Sequence, residues 1–152
     1  MADACPLLTL QSQINLFLRN RWMHVTASNV GSVIIAVIPE LREDVEEWED
    51  MDHLQFMELF LWTKSSVENS NVDNLRRAIR LVDNIFQDCD VAVGNAVTVS
   101  FLERIDPEDE IGKQIFDALT PALRKQWFAL DDHMVQLIGK SLRGSVARSG
   151  GN

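Results

Sequence analysis

Cysteine is scarce in this chain: two residues, Cys5 and Cys89, stand alone with no partner at a ligand spacing. That excludes a disulfide framework or a cysteine-based zinc site, and two isolated thiols suit a reducing compartment. Long apolar runs are missing as well. The longest uncharged stretch of apolar leaning, Val25 to Ile38, is too short, and too polar in its first half, to span a bilayer. The opening Met1-Ala-Asp-Ala-Cys-Pro has an acid and a proline where a secretory signal would place bases. A cytoplasmic protein with no membrane partner is therefore expected.

The motifs of common enzyme chemistry are also absent. There is no phosphate loop ending in lysine, no Gly-x-Gly-x-x-Gly, no His-Glu-x-x-His and no Gly-x-Ser-x-Gly. Asp50 and Asp52 do not open a calcium loop, because Leu54 and Gln55 stand where an oxygen ligand and a glycine are needed. Basic clustering is limited to Arg76, Arg77 and Arg80, bordered by Asp73 and Asp83, which reads as a solvated helix face rather than a nucleic-acid stripe. No catalytic residue, cofactor or nucleic-acid partner is expected from these features.

What the chain does have is negative charge in one place. Between Glu40 and Glu58 nine acids (Glu40, Glu43, Asp44, Glu46, Glu47, Glu49, Asp50, Asp52 and Glu58) face one base, Arg42, a local charge of −8 in a chain whose total is −9. Such a block either keeps a helix face solvated or steers a cationic partner toward it. Four tryptophans, Trp22, Trp48, Trp62 and Trp127, are each in phase with an apolar helix stripe and suit core packing. Trp48 differs in sitting among carboxylates, where an aromatic could anchor a basic partner. The expected partner-binding set is Glu43, Asp44, Glu46, Glu47, Trp48, Glu49 and Asp50.

With 152 residues the chain can bury a sizeable single core. The organising stretch is Asn71 to Ile105. Leu75, Ala78, Ile79, Val82, Ile85 and Phe86 lie on one helix face, Asn71 can cap it, and Asp88 to Asp90 read as a tight turn. Val91 to Val99 supports two readings. Gly94-Asn95 between branched residues fits a hairpin, whereas Val93, Ala96, Val97, Ser100, Phe101 and Ile105 fit one helix face; a lone hairpin is marginal by itself, which favours the helix.

Elsewhere the spacing predicts helices from Thr9 to Met23, over Glu40 to Trp48, around a central buried segment Leu54 to Trp62, after Asp106-Pro107, and from Pro121 to about Leu142. Lys64 to Ser70 reads as a polar connection. Val33 to Ile38 fits a strand or a short buried helix ending before Pro39. The expected architecture is all-α, a single-domain antiparallel bundle or short helical-hairpin stack of about six to seven helices, with α+β as the alternative if Val91 to Val99 is a hairpin. Residues 1–142 would form that domain and 143–152, with Gly144, Ser145, Ser149, Gly150 and Gly151, a flexible tail.

From Leu54 to Ile105 the order of features is an aromatic-rich helix, a polar gap, Asn71 to Phe86, then Asp88-Cys-Asp-Val-Ala-Val-Gly-Asn-Ala-Val with Phe101-Leu102-Glu103. Together with Ile38-Pro39-Glu40-Leu41 upstream, it resembles a family of small, acidic, uncharacterised bacterial helical domains. Several of these are similar to immunity proteins, which neutralise a toxin made by the same cell. The resemblance implies an all-helical fold, favours the helix over Val33 to Ile38, and implies a binding role; it carries over no catalytic residue. The leading expectation is thus a non-catalytic binding or inhibitor protein whose acidic surface meets a basic protein. The alternatives are a small metal-dependent enzyme built on Asp50, His53, Asp132 and His133, since Asp50-Met-Asp-His53 resembles half of a carboxylate-bridged metal motif, and a structural helical adaptor.

Overall fold

Apolar residues recurring every three or four positions become helix throughout. The computed structural model describes residues 24–132, and within them the order is α1 (Val30–Val37), α2 (Arg42–Glu47), α3 (Asp52–Glu68), α4 (Val72–Gln87), α5 (Val91–Ser100), α6 (Glu110–Ala118) and α7 (residues 121–132). Single 3-10 turns at Pro39–Leu41 and Leu102–Arg104 complete the regular structure. The described residues contain no strand, so the chain is all-α. The expected helix from Thr9 to Met23, the far end of the last helix and the tail at 143–152 lie outside the described residues, as do Cys5, Trp22 and His133.

The centre is α3, which packs on α4, α5 and α6 and also meets α1 and α2. Phe56, Leu59 and Phe60 are buried along it, and Phe60 meets the fully buried Phe101 edge to face at 5.7 Å. This helix runs to Glu68, so Lys64 to Ser70 is not a polar connection. Its polar residues are absorbed locally: Thr63 Oγ1 donates to the Leu59 carbonyl (2.7 Å) and Ser66 Oγ to that of Trp62 (2.8 Å), while Val67 is buried. The turn is only Asn69-Ser70. Ser70, with φ 56°, ends the helix in the left-handed conformation, and Asn71 caps α4 by accepting from the Asn74 N–H at 3.0 Å.

Val91 to Val99 is helical. Asp90 accepts from the Val93 N–H at 2.8 Å, and Val93, Ala96 and Val97 pack into the core beside α3. The helix stops at Ser100; Phe101, Leu102 and Ile105 reach the core from the turn that follows it. Val33 to Ile38 likewise is mostly helix, α1, which ends before Pro39.

The opening of α6 differs from the Asp106-Pro107 start read from sequence. The capping residue is Asp109, which accepts from the Gly112 N–H at 3.1 Å, whereas Asp106 closes its own small turn on the Glu108 N–H (2.9 Å). The loop folds back onto the helix, so that a Cβ at Gly112 would lie 1.9 Å from the Asp106 carbonyl oxygen. Thr120 caps α7 through the Leu123 N–H (3.3 Å) and also donates to Asp83 of α4 (2.8 Å).

One isolated parallel bridge pairs Val25 with Cys89. The Val25 N–H donates to the Asp88 carbonyl (3.0 Å) and the Asp90 N–H to the Val25 carbonyl (2.9 Å), pinning the chain entering α1 to the joint between α4 and α5.

Candidate functional site

The middle of the acidic block, Glu43 to Asp50, lies on α2 and the turn after it. Leu41 and Val45 are buried and fix the inner side of this short helix, which leaves Arg42, Glu43, Asp44, Glu46 and Glu47 exposed. The Trp48-Glu49-Asp50 turn follows, with Asp50 in the left-handed conformation at φ 62° and the Met51 N–H donating to the Trp48 carbonyl. Glu49 and Asp50 are exposed. Six of the seven expected binding residues are thus exposed on α2 and its closing turn, and the seventh, Trp48, is half-buried.

Little of that charge is neutralised within the described residues. Arg42 pairs with Glu46 at 3.3 Å, both side chains being more than half exposed, and no other ion pair among the described residues involves the seven. The first and last acids of the block, Glu40 and Glu58, are differently placed. Glu58 accepts the Trp48 indole N–H at 3.2 Å, so Trp48 is half-buried and lies over α3 instead of projecting. Glu40 takes both of its bonds, 2.9 and 2.8 Å, from Arg77 of α4. Those bonds hold its carboxyl below the ordinary glutamate range, against the opposing effect of partial burial.

Behind the face, a polar groove of about 370 Å³ separates α1 from α2. Ala27, Ser28, Gly31, Ser32 and Ile35 form one wall; Val45, Glu46, Glu49 and Asp50 form the other. Gln55 of α3 also lines it. Its side chain is 4 % exposed, Nε2 donates a long 3.4 Å bond to the Val45 carbonyl, and Oε1 is buried with no hydrogen-bond partner among the described residues. Sequence reasoning passed over Gln55, although a polar residue inside the apolar run Leu54 to Trp62 is the kind of signal that marks such a position.

Residues 32–134 match a family described as a domain of unknown function, DUF7674. The chain belongs to this family. The DUF7674 match takes in the whole acidic block, Gln55 and all of α2 to α7, while Ala27, Ser28 and Gly31 of the groove wall precede it. The family's description names no activity and no partner. No curated protein and no solved structure matches the chain.

Of the alternative metal set, Asp50, His53 and Asp132 are among the described residues, and these three do not converge on a common ion site. Among the described residues no group of three or more His, Cys, Asp or Glu side chains converges to hold an ion. His53 turns its Nδ1 to Ser100 Oγ at 2.9 Å, Asp50 stands on the turn before α3, and Asp132 is exposed at the end of the described α7. The basic cluster also divides. Arg76 and Arg80 are exposed, whereas Arg77 leaves the expected solvated face for tertiary contacts with Val37, Glu40 and Trp62. Cys89 is half-buried, and its thiol is pushed up by that burial, with Asp90 and Asp88 adding to the effect. Among the described residues no helix is long and apolar enough to cross a membrane.

Proposed function

We propose that this protein is a non-catalytic binding or inhibitor protein of the immunity type, which meets a basic face of another protein with Glu43, Asp44, Glu46, Glu47, Glu49 and Asp50. Trp48 supplies the apolar ground beneath them. The observation that carries this reading is the gathering of six exposed carboxylates on one short helix and its closing turn, with Arg42 as the sole basic partner among the described residues. A field of that kind accelerates encounter with a cationic surface and is screened by salt.

The test begins with co-purification from the native host and mass spectrometry of what is retained. The association rate of the purified pair is then followed by stopped flow as salt is raised. A fall on the order of tenfold or more from low to high ionic strength is expected, with the same loss in a Glu43→Gln, Asp44→Asn, Glu47→Gln variant at low salt. A rate indifferent to both overturns the reading.

A further inference from the structure

We infer that the groove between α1 and α2 receives an arginine side chain of the basic partner, its guanidinium held by the Gln55 carboxamide oxygen and the carboxylates at the rim. This rests on the binding role proposed above and gives it a defined chemistry.

The starting point is Gln55. A carboxamide can take part in four hydrogen bonds, yet this one makes a single long bond to the Val45 carbonyl, and its oxygen is enclosed without a donor among the described residues. Buried polar atoms are nearly always partnered. Because Gln55 lines the groove, a small turn of its carboxamide would present this enclosed acceptor to an N–H donor brought from outside. The rest of the lining agrees on what carries it. Glu46, Glu49 and Asp50 supply negative charge, Ser28 and Ser32 can accept, and no Lys or Arg is among the lining residues.

Acceptors and anions on several sides select a cation with several donors. Guanidinium has five N–H groups in a planar fork and no acceptor, and it is more weakly hydrated than an ammonium, so it surrenders water more readily on entering a partly closed site. Ala27, Ile35 and Val45 give its aliphatic stem an apolar wall. Gly31 keeps the inner end free, since a Cβ there would come within 2.7 Å of Gln55 Nε2.

The probe is the peptide acetyl-Gly-Arg-Gly-amide, compared with its lysine and citrulline counterparts and with free agmatine, in titrations of isotopically labelled full-length protein. The signals read are the Gln55 side-chain NH2 and the Gly31 amide. Saturable shifts at both are expected with the arginine peptide, weaker ones with lysine and none with citrulline, which keeps the shape but loses the charge. Gln55→Met should weaken the arginine peptide on the order of tenfold, as expected for a lost hydrogen bond to a charged donor. Gly31→Ala, which keeps the glutamine but pushes its amide aside, should also weaken it. The triple variant at Glu43, Asp44 and Glu47 should keep the response at Gln55.

Equal responses to arginine and citrulline overturn the inference. So do shifts confined to the outer acids with Gln55 and Gly31 unmoved, although that result leaves the acidic face standing. Tighter binding of agmatine than of the peptide overturns a protein-borne arginine as the occupant. If Gln55 answers to the arginine peptide while the partner's association rate ignores salt, the docking role falls and the guanidinium site stands.

Discussion

Arg77 serves two elements at once. Its Nε and Nη2 donate to the Val37 carbonyl at 3.1 and 3.0 Å, one of the carbonyls left open where α1 ends, while Nη1 and Nη2 grip Glu40. The guanidinium also lies 5.7 Å from the centre of the Trp62 ring. Arg77→Ala is expected to lower stability by roughly 1–3 kcal/mol in urea unfolding, because the side chain is largely covered and a carbonyl loses its donors. Lysine should restore only part, since one ammonium cannot serve both acceptors in a planar fork. Glu40→Gln should cost less, about 0.5–1 kcal/mol, because its side chain is half exposed and screened by water. The sign of its pH dependence follows from the lowered folded value. The contribution is full above the ordinary glutamate range and is lost as pH falls through the folded value, so the gap between wild type and Glu40→Gln should close in acid. A gap that persists in acid would show that the carboxylate charge is not what Arg77 uses. The sequence shows Arg77 as one of three arginines; only packing decides which of them turns inward.

Elements were legible where one rule dominated. The stretch from Asn71 to Phe86 has its cap, its apolar face and its closing turn in the sequence, and α4 follows it closely. Val91 to Val99 carried two periodicities, and burial of Val93, Ala96 and Val97 against α3 decided for helix over local β preference. The errors were local competitions. Lys64 to Ser70 looked like a loop until the Ser66 hydroxyl was satisfied inside α3, and Asp106 looked like a cap until the Gly112 contact pulled the real start to Asp109. These assignments make distinct demands. Asp90→Ala should cost about 1 kcal/mol through loss of the α5 cap. Gly112→Ala should cost about 3 kcal/mol, because backbone rather than a movable side chain blocks the new methyl. Chemical denaturation of both variants measures this, and a neutral Gly112→Ala would mean that the loop does not lie on the helix as described.

At the scale of the molecule, the acidic face contributes charge without holding the fold. Within the described residues the carboxylates of Glu43, Asp44 and Glu47 accept no hydrogen bond and pair with no base, so neutralising all three should change stability by no more than about 0.5 kcal/mol per site, measured by thermal melting at low salt. A loss well beyond that would make the block a structural device and remove the reason to assign it to a partner. The sequence placed these acids along the chain, because charge counts need no fold, but not the uptake of Glu40 by Arg77 or of Glu58 by the Trp48 indole. It did not locate the groove, because Gln55 and Gly31 meet only once α1 and α3 are packed.

Val25 holding Cys89 turns the span from α1 to α4 into a fastened loop, with α2 and its groove enclosed in it. Affinity and integrity should therefore fail together: weakening the fastening, which adjoins the Ala27 wall of the groove, ought to release a bound arginine. Hydrogen exchange at the Val25 and Asp90 amides should then be as slow as in the middle of α3, and rapid exchange there would show a ring that opens by itself.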